Sequence, residues 1–171
     1  AAEEINKLFF EILIAPSYTD DALALLKNKK NRMILLQKSK LSEKKQSKSI
    51  LNGIIEQDLD LKTDGEEDLK TVTKKAPSSS EVKALLFASK VCKHSKSNTI
   101  ILANEGQLLA SGVGQTSRVD ALKQAIEKAA AFGFSLQGSV MASDAVFPFP
   151  DCVEIASKGR VTAVIQPGGS G

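Results

Sequence analysis

The chain has 171 residues, with 23 Lys and Arg against 20 Asp and Glu and a formal charge of +3, enough for one sizeable core or for one compact unit plus part of another. No run of roughly 18 apolar residues and no signal-peptide pattern occurs, so nothing points to a bilayer or to secretion, and so mild a charge makes nucleic acid a weak expectation. Its two cysteines, Cys92 and Cys152, form no CxxC pair and fit a reducing compartment, so a cytoplasmic location is expected.

The chain opens, without an initiator Met, in what reads as an amphipathic helix carried by Glu4, Ile5, Leu8 and Phe9. Phe10 to Ala15 reads as a buried strand ending at Pro16, Thr19 to Lys27 as a helix with an acidic first turn, and Asn31 to Gln37 as a second strand. That order predicts a β-α-β unit, most simply a right-handed crossover between parallel strands. Lys38, Lys40, Lys44, Lys45 and Lys48 lie among Ser and Gln, and the run from 38 to 48 reads as a solvated connector in preference to a nucleic-acid patch. The chain changes character at Ser49, and a boundary is expected near residue 48.

Ile50 to Asp60 is strand material, Glu66 to Thr73 alternates briefly, and Ala76 to Ser80 is a loop leading into a helix with Glu81 in its first turn. Val82, Leu85, Leu86, Ala88, Val91 and Cys92 give that helix an apolar face. Thr99 to Ser111 reads as two short strands joined at Asn104-Glu105-Gly106, Gly112 to Val119 as a glycine loop, and Val119 to Phe132 as a long amphipathic helix. Gly138 to Ser143 is a further strand, a helix runs to Gly159, and Val161 to Ile165 is a last strand. The following Gln166-Pro-Gly-Gly turn would lead into another helix, so a native C-terminal piece is expected beyond it.

Three loops at the ends of these elements hold the chemically interesting side chains: 95–98, 115–118 and 144–151. Their convergence is expected. Asn98 can donate and accept at once, which suits an amide or formyl group, and Arg118 offers a planar fork to a carboxylate or phosphate. In Phe147-Pro-Phe-Pro150 the prolines stiffen the backbone, so two rings are available to wall a flat heterocycle whose edge Asp151 could bond. The glycines let backbone amides approach a ligand at a helix start. Each feature also has a plain structural reading: a tight turn for Gly112-x-Gly114, a turn or cap for Asn98, a surface ion pair for Arg118, core for Phe147 and Phe149, and an exposed or structural role for His94. A His and Cys metal site lacks the necessary spacing.

Taken together, the segments 96–100, 112–120, 141–151 and 161–170, in this order and spacing, resemble the transformylase half of the AICAR formyltransferase/IMP cyclohydrolase family. Leu13-Ile-Ala-Pro16, Lys29-Lys-Asn-Arg32 and the stretch from Glu66 to Lys75 extend the resemblance over essentially the whole chain. It implies an α/β fold, a cytidine-deaminase-like three-layer α/β/α with mixed sheet. Residues 1–48 would be the C-terminal part of a first, partial unit with its basic linker, and 49–171 a second, nearly complete unit truncated at its C-terminus. It implies formyl transfer from 10-formyltetrahydrofolate, the cosubstrate, to the 5-amino group of AICAR in purine biosynthesis, in a site formed across a homodimer.

By the same resemblance Asn98 positions or polarises the formyl group; Arg118, Val119, Pro148, Phe149, Asp151 and Cys152 lie on the folate side; and Pro16, Ser17 and Val146 touch the nucleotide. A structural potassium ion would use Cys92, through its carbonyl, with Ser95, Ser97, Thr99 and Asp144. Val146, Cys152 and Ser17 depart from the usual family residues. The resemblance places a Lys-His pair serving amine deprotonation, an Arg-His-Phe-like tail and the cyclohydrolase domain outside these residues, so the isolated chain is expected to show no measurable formyltransferase activity. A catalytically silent folate- or nucleotide-binding module is the alternative. A zinc deaminase of similar fold lacks support, because neither His-x-Glu nor Pro-Cys-x-x-Cys occurs.

Overall fold

The computed structural model describes residues 1–39 and 44–168, and the chain divides into two compact units, Ala1–Leu61 and Lys62–Gly171. In the first unit, helix α1 (Ala2–Lys7) is shorter than its apolar pattern implied, because Leu8 turns to extended backbone. Strand β1 (Ile12–Ala15), helix α2 (Asp20–Lys27) and strand β2 (Met33–Leu36) form the expected β-α-β unit, with Ile12 opposite Met33 and Ala15 opposite Leu36 in parallel register. Thr19 caps α2 by accepting from the Ala22 N–H, and Asp20 and Asp21 follow in its first turn. Arg32 fastens α1 to this unit. Its guanidinium donates to Asn6 Oδ1 at 2.7 Å and to the Asn6 carbonyl at 3.2 Å, and lies 4.1 Å from the Phe10 ring centre.

The lysine run departs from the connector reading. Positions 40–43 lie outside the described residues, but Lys45 and Lys48 belong to β3 (Lys45–Ile50), which pairs antiparallel with β4 (Gly53–Asp58). The boundary expected near residue 48 therefore falls inside a strand. Ile50 opposite Gly53 leaves Leu51 and Asn52 as a two-residue turn, with Leu51 at a positive φ of 49°. A polar strand of this kind is fixed by main-chain pairing with its neighbour, which composition does not disclose.

The second unit begins with a 3-10 turn at Glu66–Asp68, where a short alternation was expected. Helix α3 (Ser79–Lys93) starts on a capping box in which Ser78 accepts from the Glu81 N–H and Glu81 accepts from the Ser78 N–H. Strands β5 (Ile100–Asn104), β6 (Gln107–Gly112), β7 (Val140–Ser143) and β8 (Ala163–Ile165) form a mixed sheet ordered β6-β5-β7-β8, with only the β7–β8 pair parallel. Successive side chains of a strand point to opposite faces. Accordingly Ile101 and Ala103 pack with Ala84, Leu85, Ala88 and Cys92 of α3, while Ile100 and Leu102 pack with Ala121, Leu122 and Ala125 of α4 (Arg118–Ala131) and with Cys152 and Ala156 of α5 (Asp151–Lys158). The sheet is thus covered by helices on both faces. Among the described residues no helix is long and apolar enough to cross a membrane.

Candidate functional site

Strand register decides where the loops go. Ile100, at the start of β5, lies opposite both Gly112, at the end of β6, and Ser143, at the end of β7. The three loops named from sequence therefore leave the sheet at one edge, joined by the exit of β8, which runs parallel to β7. In α/β sheets such an edge is where ligands bind.

At the end of α3, Ser95 N–H donates to the Cys92 carbonyl at 2.9 Å and Ser95 Oγ to the Val91 carbonyl at 2.9 Å, while exposed His94 is the C-cap. The segment then zips onto the glycine loop. Gly114 N–H donates to the Lys96 carbonyl at 2.8 Å, and Asn98 and Gln115 exchange main-chain hydrogen bonds at 3.3 Å in both directions. The Asn98 amide nitrogen Nδ2 donates twice more, to the Gln115 carbonyl at 2.9 Å and the Thr116 carbonyl at 3.2 Å. Both of its N–H groups are thus committed within the chain, and Oδ1 is the end of the amide free of that constraint.

Asp144 ties the third loop to the first. Its Oδ1 accepts from the Thr99 N–H at 2.8 Å, its Oδ2 accepts from Ser97 Oγ, and its own N–H donates to the Thr99 carbonyl at 3.4 Å. Arg118 Nη2 lies 3.8 Å from Asp144 Oδ1, with the two side chains 21% and 18% exposed. Arg118 Nε is buried and has no hydrogen-bond partner among the described residues. A buried donor left unpaired costs about 1–3 kcal/mol, so this guanidinium is poised for an acceptor that the described residues do not supply.

The two glycines of the loop do different things. Gly114 takes a positive φ of 68° in open space, suiting the turn. Gly112, expected to admit a ligand, serves packing: a Cβ there would lie 1.8 Å from the Ala121 carbonyl oxygen, so its lack of a side chain lets α4 approach β6. The helix start is also partly occupied, because Ser117 accepts from the Asp120 N–H at 3.1 Å. That makes it a poorer free-anion cradle than glycine spacing alone implied.

The aromatic loop splits. Phe147 packs against the core and donates its N–H to Gln166 Oε1 at 2.7 Å, whereas Phe149 is 67% exposed and Pro148 and Val146 are exposed beside it. Asp151 Oδ1 accepts from the Cys152 N–H at 2.7 Å. Cys152 is buried in the core, and burial followed by the nearby Asp151 carboxylate pushes its thiol pKa up; Val119 packs against the same cluster. Burial, then Asp144, pushes the Cys92 thiol up to about 12 despite the opposing effect of Arg118, so neither sulfur is a thiolate at neutral pH. Pro16 and Ser17 belong to the first unit and are exposed; next to them the Tyr18 hydroxyl lies 2.9 Å from the Leu35 carbonyl, bracing β2. Among the described residues no group of three or more His, Cys, Asp or Glu is placed to hold a metal ion.

Sequence reasoning missed Gln124, whose Oε1 accepts from the Val113 N–H at 3.2 Å and from Gln115 Nε2 at 3.4 Å. The available signal was a polar residue three positions from Ala121 on a helix otherwise buried through Ala121, Leu122, Ala125 and Ala129.

A mixed sheet sheathed by helices, with loops locked together by hydrogen bonds at one sheet edge, defines an α/β protein with a loop-built site. Its affiliation is shown by its relatives. The model of the AICARFT/IMPCHase bienzyme family matches residues 1–128. The bifunctional purine biosynthesis protein PurH of Bacteroides thetaiotaomicron is 65% identical over 170 residues, which cover 99% of this chain and 34% of that protein. The proteins of the same name from Thermoanaerobacter sp. and Aquifex aeolicus are 48% and 46% identical, each over 99% of this chain and 33% of theirs. The chain belongs to the AICARFT/IMPCHase bienzyme family, and it spans about a third of the length of these curated relatives.

Proposed function

We propose that this chain supplies the folate side of a transformylase site, where a formyl group passes from 10-formyltetrahydrofolate to the 5-amino group of AICAR in purine biosynthesis. The observation that carries the proposal is the tying together of the three loops where they leave the sheet: Asn98 bonds the Gln115 carbonyl of the glycine loop, Asp144 of the third loop accepts from the Thr99 N–H beside Asn98, and Arg118 lies 3.8 Å from Asp144. The unpaired Arg118 Nε supports it, since an anionic or carbonyl-bearing cosubstrate would provide the missing acceptor. Asn98 positions the formyl group and amine. Val119, Pro148, Phe149, Asp151 and Cys152 border the pterin, with exposed Phe149 stacking on it and buried Cys152 contributing through its main chain. Val146, Pro16 and Ser17 contact the nucleotide.

The units are cytidine-deaminase-like in this reading, the first partial and the second nearly complete, and the working form is a cytoplasmic homodimer. The potassium donor set is chemically consistent with such an ion, because it offers only oxygens. The Ser95, Ser97 and Thr99 hydroxyls each donate within the chain, which leaves their lone pairs to a cation beside the Asp144 carboxylate and the Cys92 carbonyl. Bound there, potassium would hold the loop ends together without entering the chemistry.

The test is formylation of AICAR by the whole protein, followed as folate turnover. Asn98→Ala is expected to lower kcat about 100-fold and Arg118→Ala to raise KM for the folate about tenfold, the size of loss typical for a single positioned polar group. Wild-type turnover that is absent, or indifferent to both substitutions, overturns the proposal.

A further inference from the structure

Asn98 does not hold its orientation alone. Its two amide N–H groups end on the Gln115 and Thr116 carbonyls, so its aim depends on where the glycine loop puts those carbonyls. That loop is fixed from the side by helix α4. Gln124 Oε1 accepts from Val113 N–H and from Gln115 Nε2, and Gln115 Nε2 also donates to the Val113 carbonyl at 3.2 Å. Gly112 next to it is pressed against the Ala121 main chain, so this end of the loop has little room to shift. Both contacts to Gln124 use the same atom as acceptor.

We propose that Gln124 is a positioning residue for the transformylase site, holding Val113 and Gln115 so that Asn98 presents Oδ1, a hydrogen-bond acceptor, to a donor on the substrate. This rests on the transformylase reading above and adds to it the polarity of the group Asn98 offers. With both N–H groups committed, Asn98 contacts the N–H of the amine nucleophile and does not polarise the formyl oxygen as a donor. Gln115 is the relay, its main-chain carbonyl facing Asn98 and its side chain facing Gln124.

The experiment measures steady-state kinetics and amide hydrogen exchange on the whole protein with Gln124→Leu, Gln124→Glu and Asn98→Ala. Glutamate keeps an acceptor where Oε1 lies, so Gln124→Glu is expected to hold kcat within about threefold of wild type, while Gln124→Leu lowers kcat about tenfold with KM changed less than about twofold. Because Gln124 acts through Asn98, adding Gln124→Leu to Asn98→Ala is expected to cost nothing further. In the same samples Gln124→Leu is expected to speed exchange of the Val113 amide selectively. Equal losses in the Leu and Glu variants, an additive loss in the Asn98→Ala background, or unchanged Val113 exchange each overturn the inference. If wild-type protein does not formylate AICAR, the transformylase reading falls, and Val113 exchange alone then decides whether Gln124 holds the loop.

Discussion

One missing side chain sets how closely α4 lies on the sheet. Gly112 ends β6 beneath the Ala121 main chain, and no rotamer of any other residue relieves a Cβ placed 1.8 Å from a carbonyl oxygen. Gly112→Ala is expected to destabilise the second unit by about 3 kcal/mol, read as a lowered urea midpoint, whereas the same change at Gly114 acts only through its positive φ. A Gly112→Ala midpoint equal to wild type would show that α4 and β6 can separate freely. The sequence marked both glycines and could not distinguish them, because a turn glycine and a packing glycine are identical until the opposing element is known. The same holds for Asn98, whose amide is ambidextrous on paper and becomes one-sided once Gln115 and Thr116 face it.

Helix α3 is an element whose start was legible. Ser78 and Glu81 form a capping box that anchors its N-terminus, and the Thr162 hydroxyl, then Ser78, hold the Glu81 carboxyl down at about 2. A carboxylate depressed in the fold stabilises it fully above the unfolded value near 4.5 and loses that contribution as pH falls towards about 2. Wild-type stability is therefore expected to drop across that window, and Glu81→Gln to be less stable at pH 7 and flatter below pH 4.5, measured by thermal unfolding against pH. Parallel pH profiles for the two proteins would remove Glu81 from the account. The β3–β4 hairpin shows the opposite case. Lys45, Gln46, Ser47 and Lys48 carry no apolar alternation, so nothing local distinguishes them from a connector, and only their pairing with residues 55–58 makes them a strand.

Across the second unit, the central strand β5 is the hub: Ile100, Ile101, Leu102 and Ala103 are fully buried and feed alternately into the cores on the two faces. Leu102→Ala removes side-chain volume from the face shared with α4 and α5 and is expected to cost about 3 kcal/mol. Chemical denaturation checks this, and a loss below about 1 kcal/mol would mean that the core closes over the space. The sequence by itself determined the helices, the β-α-β order and the alternation in β5, because helix caps and side-chain periodicity are properties of neighbouring residues. It also carried the motifs that mark the family. Only the tertiary structure decided that β5 pairs with β7 on the side away from its hairpin partner β6, that Asp144 therefore reaches Ser97 and Thr99, and that Gln124 braces the loop holding Asn98. Those contacts join residues far apart along the chain, and their partners are set by strand register, which no local pattern encodes.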